Sequence, residues 1–343
     1  MNKHFYIIGS MVLLGVIGAI LIIITAPAKS SSQGETVPTA QPDQSNHMSV
    51  GNIGGQIVFS RQGYLWRWRG DNANRLPLDP GNSVVANNRV KLVEPALSRD
   101  GTKLAFVRQD ESFSDLWTAN ADGTNGRPLS ADKGDGTPRS PDFTSSSLWS
   151  FTPAWSPDGT EIAFLSDVKT DDLTLWVTPA SRLNRRSLSK LAVGQGGILS
   201  CDWSYQGDDL VVAAYQNGKS QIYTINASTG APSQLTDLSE GAYDPAWSPD
   251  GSSIAFVARH GNSSELRLMR ADGSATVTLS GLNARSPVWS PDGKKIAFLS
   301  FKDGGFEVFS IDVNANGTGA ASDPKQLTSG AKLDGTDGLT WSR

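Results

Sequence analysis

One segment near the C-terminus spaces oxygen-bearing side chains as a calcium-binding loop does. Counting from Asp312 as position 1, Asn314 and Asn316 occupy positions 3 and 5, a glycine occupies position 6 and Asp323 occupies position 12. Carboxylate and amide oxygens at this spacing ligate calcium in an EF-hand loop. The segment ends in Asp rather than Glu and has no flanking helical pattern, so a long Gly- and Asn-rich turn between strands is the alternative interpretation. Calcium is the one cofactor that the sequence suggests.

Residues for nucleophilic or metal catalysis are scarce. Cys201 is the single cysteine, which excludes an internal disulfide and a two-cysteine zinc site. His260 is the one histidine in the predicted folded region, so a catalytic triad or histidine metal site would depend on it alone. No nucleophile elbow, dinucleotide-binding glycine motif or phosphate-binding loop occurs. Asp158, Asp250 and Asp292 recur in equivalent turns, which indicates a structural role.

The elements that must position these residues are internal repeats. Five segments share an aromatic residue or Leu, a Ser, a turn ending in Gly, two variable residues and an apolar run: residues 96–107, 154–165, 202–213, 246–257 and 288–299. Their anchor positions are separated by 58, 48, 44 and 42 residues. Four-stranded propeller blades repeat about every 40–45 residues, and an insertion at 131–150 explains the longest spacing.

Each repeat predicts strands. Ser-Pro-Asp-Gly is a turn in which Pro presets φ and Gly completes the chain reversal. The run after it, such as Ile162-Ala163-Phe164-Leu165, is unbroken and apolar, which indicates a strand buried on both faces. A third strand follows, as at Leu175-Trp176. A more polar fourth strand ends in Leu-Ser or Leu-Thr, as at Leu129-Ser130. We expect this fourth strand at the exposed rim of the blade.

The two ends of the chain supply a sixth blade. Residues 56–60, 64–68 and 74–78 have the pattern of strands two, three and four without a first strand, and residues 339–343 have the pattern of a first strand without a successor. Pairing these pieces would close the ring and remove an open sheet edge. The sequence therefore predicts an all-β, six-bladed β-propeller in which a C-terminal strand bearing Trp341 joins the N-terminal blade.

The unit Trp-Ser-Pro-Asp-Gly-x-x-Ile-Ala-Phe, followed by Leu-Trp, Asp-Gly and Leu-Thr, resembles the repeat of TolB-like propellers, which are related to WD repeats. It is also similar to the propeller domains of prolyl-oligopeptidase-type enzymes. The resemblance covers about residues 52–343 and weakens where Arg99 and Tyr205 replace the turn proline. TolB's leading α/β domain and the hydrolase domain of the peptidases are not recognisable here. The resemblance implies a fold and a habit of binding proteins or peptides, without carrying over TolB's particular partners.

The N-terminus predicts a membrane anchor. Residues 5–25 carry no charge and would form a helix of about 31 Å, which matches the hydrocarbon thickness of a bilayer. Lys3 precedes them, so the N-terminus is expected in the cytoplasm and the propeller outside it. A small-x-small pattern at 26–28 allows a signal peptide instead, although the apolar stretch is long for one. We divide the chain into an anchor or uncleaved signal at 1–26, a flexible linker at 27–51 and the propeller at 52–343.

A partner-binding surface is expected on one face of the propeller. The first face carries the short, repetitive turns after strands one and three, and the second face carries the variable loops after strands two and four. Function tends to lie on variable loops of a rigid scaffold. We predict that Phe113, Phe143, Trp149 and His260 on the second face contact a partner. Local anchoring of long loops is the alternative role for the three aromatic residues.

The charge of the chain argues against nucleic acid as a partner. The net charge is −4 over 343 residues, with no long basic run. The short cluster Arg182, Arg185 and Arg186 is expected to be a solvated turn. The leading functional hypothesis is a non-enzymatic cell-envelope scaffold that binds a protein or peptide. The alternatives are a propeller that binds carbohydrate or cell-wall fragments and a propeller hydrolase or lyase that uses carboxylates in its central channel.

Overall fold

The computed structural model describes residues 53–81, 90–138, 140–193, 196–314, 319–335 and 337–343. These residues form six four-stranded antiparallel sheets arranged as blades one to six. The innermost strands are β24 (Leu339–Ser342), β4 (Lys91–Leu97), β8 (Ser150–Trp155), β12 (Ile198–Trp203), β16 (Ala242–Trp247) and β20 (Ala284–Trp289). The second strands are β1 (Gln56–Arg61), β5 (Lys103–Gln109), β9 (Glu161–Ser166), β13 (Asp209–Gln216), β17 (Ser253–His260) and β21 (Lys295–Lys302).

The outer half of each blade completes the sheet. The third strands are β2 (Tyr64–Arg69), β6 (Ser114–Asn120), β10 (Thr174–Pro179), β14 (Lys219–Asn226), β18 (Ser263–Arg270) and β22 (Gly305–Asp312). The fourth strands are β3 (Asn72–Arg75), β7 (Arg127–Pro128), β11 (Arg186–Ser187), β15 (Pro232–Gln234), β19 (Val277–Ser280) and β23 (Lys325–Gln326). The predicted six-bladed, all-β propeller is confirmed.

Several fourth strands end before the predicted Leu-Ser or Leu-Thr pair. In blade two, the Leu129 N–H still donates to the Leu116 carbonyl (2.7 Å), but the Ser130 hydroxyl then accepts from the Leu116 N–H (2.9 Å). Thr236 and Thr328 accept in the same way from the third strands of blades four and six. The side-chain oxygen takes the place of a backbone carbonyl, so the strand ladder stops while the chain stays attached.

The alternation of large and small residues packs each blade between its neighbours. On β9, Ile162 and Phe164 lie in a cluster with residues of blade two, whereas Ala163 lies in a cluster with residues of blade four. All three side chains are fully buried. Burial of a side chain as large as Ile162 or Phe164 stabilises the fold by about 1.5–3 kcal/mol. The small residue lets the next blade approach, as its pattern predicted.

The repeated turns are held by side chains as well as by backbone. In blade three, the Ser156 hydroxyl donates to Asp158 (2.6 Å), and Asp158 accepts from the Thr160 N–H (3.0 Å). The hydrogen bond from Ser156 is the main cause that lowers the pKa of Asp158. The same contacts recur at Asp250 and Asp292, which confirms their predicted structural role.

The ring is closed by the two ends of the propeller. β24 pairs antiparallel with β1, with Trp341 opposite Ile57 and Leu339 opposite Phe59. The Trp341 indole N–H donates to the Gly54 carbonyl (2.9 Å), and its ring is buried between blades one and six. The first strand of blade one is thus supplied by the C-terminus, as predicted.

The insertion in blade three contains one short helix that the sequence did not predict. This helix, α1, covers Pro141–Ser146, and the Ser140 hydroxyl caps it by accepting from the Phe143 N–H. In the part of the chain that the structure describes, no helix has the length and apolar composition needed to span a bilayer. The predicted anchor at 1–26 and linker at 27–51 lie outside the described residues.

Candidate functional site

The innermost strands of all six blades line a central channel. The cavity along it measures about 1480 Å³ and is bordered by both polar and apolar side chains. It extends from the first-face turns, near Arg99 and Tyr205, to the second-face loops, near Phe301 and Phe306. The channel is therefore a concave surface on which the propeller can receive another molecule.

Four innermost strands bend at the residue before a proline. Glu94, Thr152, Asp244 and Ser286 have left-handed φ values of 50°, 45°, 48° and 48°. At the same places, pairing with the second strand shifts register. Left-handed backbone is uncommon for residues other than glycine, and a bulge of this kind redirects side chains out of the regular strand pattern. Each bulge places one polar residue in the channel wall.

Hydrogen bonds join the bulges of neighbouring blades. The Glu94 N–H donates to the Asp337 carbonyl (3.0 Å), and the Thr152 N–H donates to the Glu94 carboxylate (2.6 Å). Across blades five and six, the Ser286 N–H donates to the Asp244 carboxylate (3.0 Å). These bonds fix the polar groups of the channel wall at defined positions, which is the condition for a preorganised binding surface.

The channel carboxyls retain protons more readily than ordinary ones. Burial raises the pKa of Glu94 to about 8, with the nearby Asp337 adding to the effect. Burial also raises the pKa of Asp202 to about 6 and raises that of Asp244. The Cys201 thiol has its pKa raised by burial to about 12, so it is not a thiolate nucleophile at neutral pH. The protonated Glu94 can donate a hydrogen bond to a bound group.

Arg99 lies at the first-face mouth of the channel. Its guanidinium stacks on the Tyr205 ring, 3.7 Å from the ring centroid, and donates to the carbonyls of Ser204 and Tyr205 at 2.5 Å each. Arg99 belongs to blade two and Tyr205 to blade four, so the contact passes over the inner end of blade three. Arg99 and Tyr205, which replace the turn proline in their repeats, thus contact each other.

The second-face mouth is lined by aromatic and basic side chains. Phe301 is 60% exposed and packs edge-on against Phe306, with 5.4 Å between ring centroids. The Arg285 guanidinium lies 5.5 Å from the Phe306 ring centroid. On blade five, Arg259 partly offsets the burial that raises the pKa of Tyr243 to about 12. Asp110 and Glu111 line the same end, so it combines an accessible aromatic ring with charged groups of both signs.

The predicted contact residues Phe113 and Phe143 are not at the surface. They pack edge-on against each other with centroids 6.3 Å apart, and they are only 2% and 0% exposed. Trp149 borders the channel but is buried against Phe151, on which it stacks at 5.6 Å. The three aromatic residues anchor the insertion, which is the alternative that the sequence left open. The prediction that these three residues contact a partner is wrong, because their rings are already buried within the protein.

His260 is exposed at the second face, as its loop position predicted. Its Nδ1 lies 3.8 Å from a Glu240 carboxylate oxygen. Arg185, in contrast, is not a solvated turn residue as the sequence suggested. It forms an ion pair with the buried Asp132 and thereby joins the insertion to the loop after β10. Asp132 also accepts from Ser130 and Ser150 at 2.7 Å, so the pair belongs to a buried polar network.

The predicted calcium loop is described only in part. Asp312 forms an ion pair with Lys295 across β21 and β22, and Asn314 donates its N–H to the Gly319 carbonyl (2.9 Å). Asp323 is described, whereas Asn316 lies outside the described residues. Within the described ranges, no three His, Cys, Asp or Glu side chains converge as a metal site would require. Calcium at 312–323 stays a prediction.

A sequence profile for the TolB beta propeller domain matches residues 135–334. The chain belongs to the TolB β-propeller family. A TolB homologue of Chlorobium luteolum is 31% identical over 175 residues, which cover 50% of this chain and 35% of that protein. The uncharacterized peptidase YuxL of Bacillus subtilis is 24% identical over 211 residues, which cover 49% of this chain and 30% of that protein. The chain thus spans about a third of the length of these relatives.

The fold of the TolB-like propeller also matches a solved TolB structure. TolB from Acinetobacter baumannii superimposes with a TM-score of 0.65 at 16% identity, over 85% of this chain and 67% of that one. At this identity the match supports the fold alone. The two relatives differ in kind, one a TolB homologue and one a peptidase, so membership in the TolB-like family establishes the propeller and does not by itself decide between binding and catalysis.

Proposed function

We propose that this TolB-like propeller is a non-enzymatic scaffold of the cell envelope that binds a protein or peptide partner at its second face, over the channel. The observation that carries the proposal is the asymmetry of the channel. At the first-face mouth Arg99 is held against Ser204 and Tyr205, whereas the second-face mouth presents the exposed Phe301. Family membership supports it, since the matching relatives include TolB proteins.

The direction of the strands agrees with a membrane-attached scaffold. β1 is the second strand of its blade, so it runs from the first face toward the second, and Ile53, the first residue that the structure describes, lies at the first-face end of β1. In our proposal, residues 5–25 anchor the protein in the membrane and the propeller is extracytoplasmic. The first face then points toward the membrane and the second face toward envelope partners.

Site-specific photo-crosslinking tests the assignment of the face. A photoreactive phenylalanine analogue at position 301 of the full chain is expected to crosslink a protein in envelope membranes. The matched control is position 183, where Leu183 is 41% exposed in a first-face turn, and it should give no such product. Equal crosslinking at both positions would overturn the assignment. A glycan-array signal, or turnover in a hydrolase panel, with no protein crosslink would favour the carbohydrate or enzymatic alternative instead.

Calcium binding at 312–323 is a separate proposal that rests on the spacing of oxygen ligands. A ligand that binds only the folded state stabilises it by mass action. Millimolar calcium is therefore expected to raise the melting temperature, and EDTA is expected to reverse the rise. A melting temperature that neither addition changes would discard the proposal.

A further inference from the structure

The insertion between blades two and three depends on polar contacts for its attachment. Its described residues, 131–138 and 140–150, run from the end of blade two to the start of β8, and we call them the insertion strap. Between its ends the strap contributes one large apolar side chain, Phe143, which packs with Phe113 in a cluster of two rings. Two rings bury too little surface to offset the entropy cost of ordering a segment of this length. Hydrogen bonds and charges must therefore supply the rest.

Asp132 is the residue through which the strap is attached. It is 3% exposed, and its carboxylate accepts from the hydroxyls of Ser130 and Ser150 at 2.7 Å each. Its carbonyl accepts from the Leu148 N–H (2.9 Å), which joins the two ends of the strap. Its own N–H donates to the Asp115 carboxyl (2.7 Å) on β6. One aspartate thus connects the strap to itself, to blade two and to β8.

Two acidic side chains meet at this attachment, and the nearby arginines are engaged elsewhere. Arg185 forms its ion pair with Asp132, and Arg108 donates from Nε to the Pro80 carbonyl (2.8 Å). Burial raises the pKa of Asp115 to about 6, and the charge of Asp132 adds to the effect. The Asp132 N–H and the charges of Arg108 and Arg185 oppose the rise without cancelling it. Asp115 is therefore the group at this attachment that titrates under mild conditions.

Other charged groups lie around the strap without forming part of this contact. Asp110 is buried in the hairpin before β6, and Asp167 accepts from the Trp149 N–H (2.8 Å) on blade three. The remaining ones are exposed: Glu111 on the same hairpin and Lys133, Asp135 and Asp142 on the strap. Exposed charges are screened by solvent and salt, so the contact between Asp115 and Asp132 is where a proton matters most.

Blade four makes the equivalent contact with a neutral side chain. Gln221 corresponds to Asp115, because each precedes the residue whose N–H donates to the hydroxyl at the end of the fourth strand. The Gln221 Oε1 accepts from the Leu238 N–H (3.0 Å), as Asp115 accepts from the Asp132 N–H. An amide makes this bond at any pH. A protonated Asp115 resembles it, whereas an ionised Asp115 adds a negative charge next to Asp132.

We propose that the insertion strap is a proton-dependent fastening, closed over blades two and three while Asp115 is protonated and loosened when Asp115 ionises beside the Asp132 carboxylate. Ionisation places a second negative charge in a buried site where Arg185 already pairs with Asp132, which is costly. Trp149, at the end of the strap, lines the channel, so loosening would free one side of the second-face mouth. The inference concerns this conformational change and does not depend on the partner proposed above.

Hydrogen exchange of the full chain in detergent, followed by mass spectrometry, tests the fastening. The pKa of Asp115 rises from 3.8 to about 6, so the stability that its protonated form contributes is complete below pH 3.8 and is lost progressively through 6. Between about pH 5 and 7.5, protection of the Ser147 and Leu148 N–H groups should fall about ten-fold after correction for intrinsic exchange. Protection of the Leu238 N–H should stay constant, because Gln221 does not titrate.

Two substitutions move the effect in opposite directions. Asp115→Asn keeps the shape of the side chain and removes its ionisation, so the strap should stay protected at both pH values. Gln221→Glu places a carboxyl at the equivalent buried position of blade four, so protection of the Leu238 N–H should become pH-dependent. Melting temperatures at about pH 5, where buried carboxyls are largely protonated, show whether each variant is folded.

The wild-type protein alone can overturn the proposal. Equal protection of the strap at both pH values would do so, and so would an equal fall at Leu238, since the whole propeller would then loosen. A pH-dependent fall that persists in Asp115→Asn would assign the effect to another group and would also overturn it. If Asp115→Asn does not fold, the wild-type comparison of Leu148 with Leu238 and the Gln221→Glu variant still decide the question.

Discussion

Replacing Trp341 by alanine removes the side chain that joins the closing strand to the N-terminal blade. Trp341 is 6% exposed, lies opposite Ile57 and packs with residues of blades one and six. Its indole N–H donates to the Gly54 carbonyl at 2.9 Å. The substitution therefore removes a buried ring and one hydrogen bond at the point where the ring of blades is fastened.

The size of the effect follows from those contacts. Truncating a buried tryptophan to alanine costs about 3–5 kcal/mol, of which the lost hydrogen bond accounts for about 0.5–1.5 kcal/mol. Total stabilities of native proteins are about 5–15 kcal/mol, so a large share of the free energy of unfolding would be lost. Trp341→Phe, which keeps an aromatic ring and removes the N–H donor, should cost roughly a third as much.

Urea denaturation followed by circular dichroism measures the loss, and Trp155→Ala is the matched control. Trp155 occupies the equivalent place on β8, is also 6% exposed and donates to the Ala96 carbonyl at the same 2.9 Å. Both variants should unfold at a lower urea concentration than the wild type. Only Trp341→Ala should loosen β24 from β1 and expose a free strand edge. The resulting self-association should be visible as concentration-dependent light scattering. A Trp341→Ala variant as stable as the wild type would refute closure by the C-terminal strand.

Three further predictions concern other contacts. Burial raises the pKa of Glu94 from 4.5 to about 8, so the stability that its protonated form contributes is complete below pH 4.5 and is lost progressively as the pH rises from 4.5 through 8. Glu94→Gln should flatten this fall in urea midpoints, and an unchanged slope would contradict the prediction. Asp132→Ala removes a buried carboxylate, leaves the half-buried Arg185 unpaired and should cost about 3–5 kcal/mol. Arg186→Ala, at an exposed pair, should cost less than about 1 kcal/mol, so equal losses in thermal denaturation would contradict the role of burial. Arg99→Ala and Tyr205→Ala should couple by about 0.5–2 kcal/mol in a double-mutant cycle, whereas additive effects would mean that the stacking contributes nothing.

Most of the fold could be predicted because its signals are local. The Ser-Pro-Asp-Gly turn and the unbroken run after it specify a strand pair within about a dozen residues, as β8 and β9 show. Closure of the ring could be predicted because the N-terminal blade lacks a first strand and the C-terminal segment has the pattern of one. The residue at which β7 ends could not be predicted, because the Ser130 hydroxyl takes the place of a backbone carbonyl as the acceptor for the Leu116 N–H. The six-residue helix α1 is too short to show a periodic pattern.

The candidate site was less predictable because its residues meet only in three dimensions. An aromatic residue in a long loop can anchor that loop or contact a partner, and sequence alone does not separate the buried Phe143 from the exposed Phe301. Arg99 and Tyr205 did carry a signal, since both interrupt the repeat, but their contact depends on the curvature of the ring that brings blades two and four together. The raised pKa of Glu94 likewise depends on burial within the channel.

The geometry of the propeller separates attachment from recognition. Turn chemistry fixes the first face, where the closing strand ends and where Arg99 binds the turn of blade four. The second face is free of these constraints, so its loops can differ between blades without disturbing the ring. Phe301 stands on such a loop, on a hairpin held by its own turn and by Phe306. A partner that docks there would meet a surface that is already formed, on the side opposite the proposed membrane anchor, and would not need to open the propeller to bind.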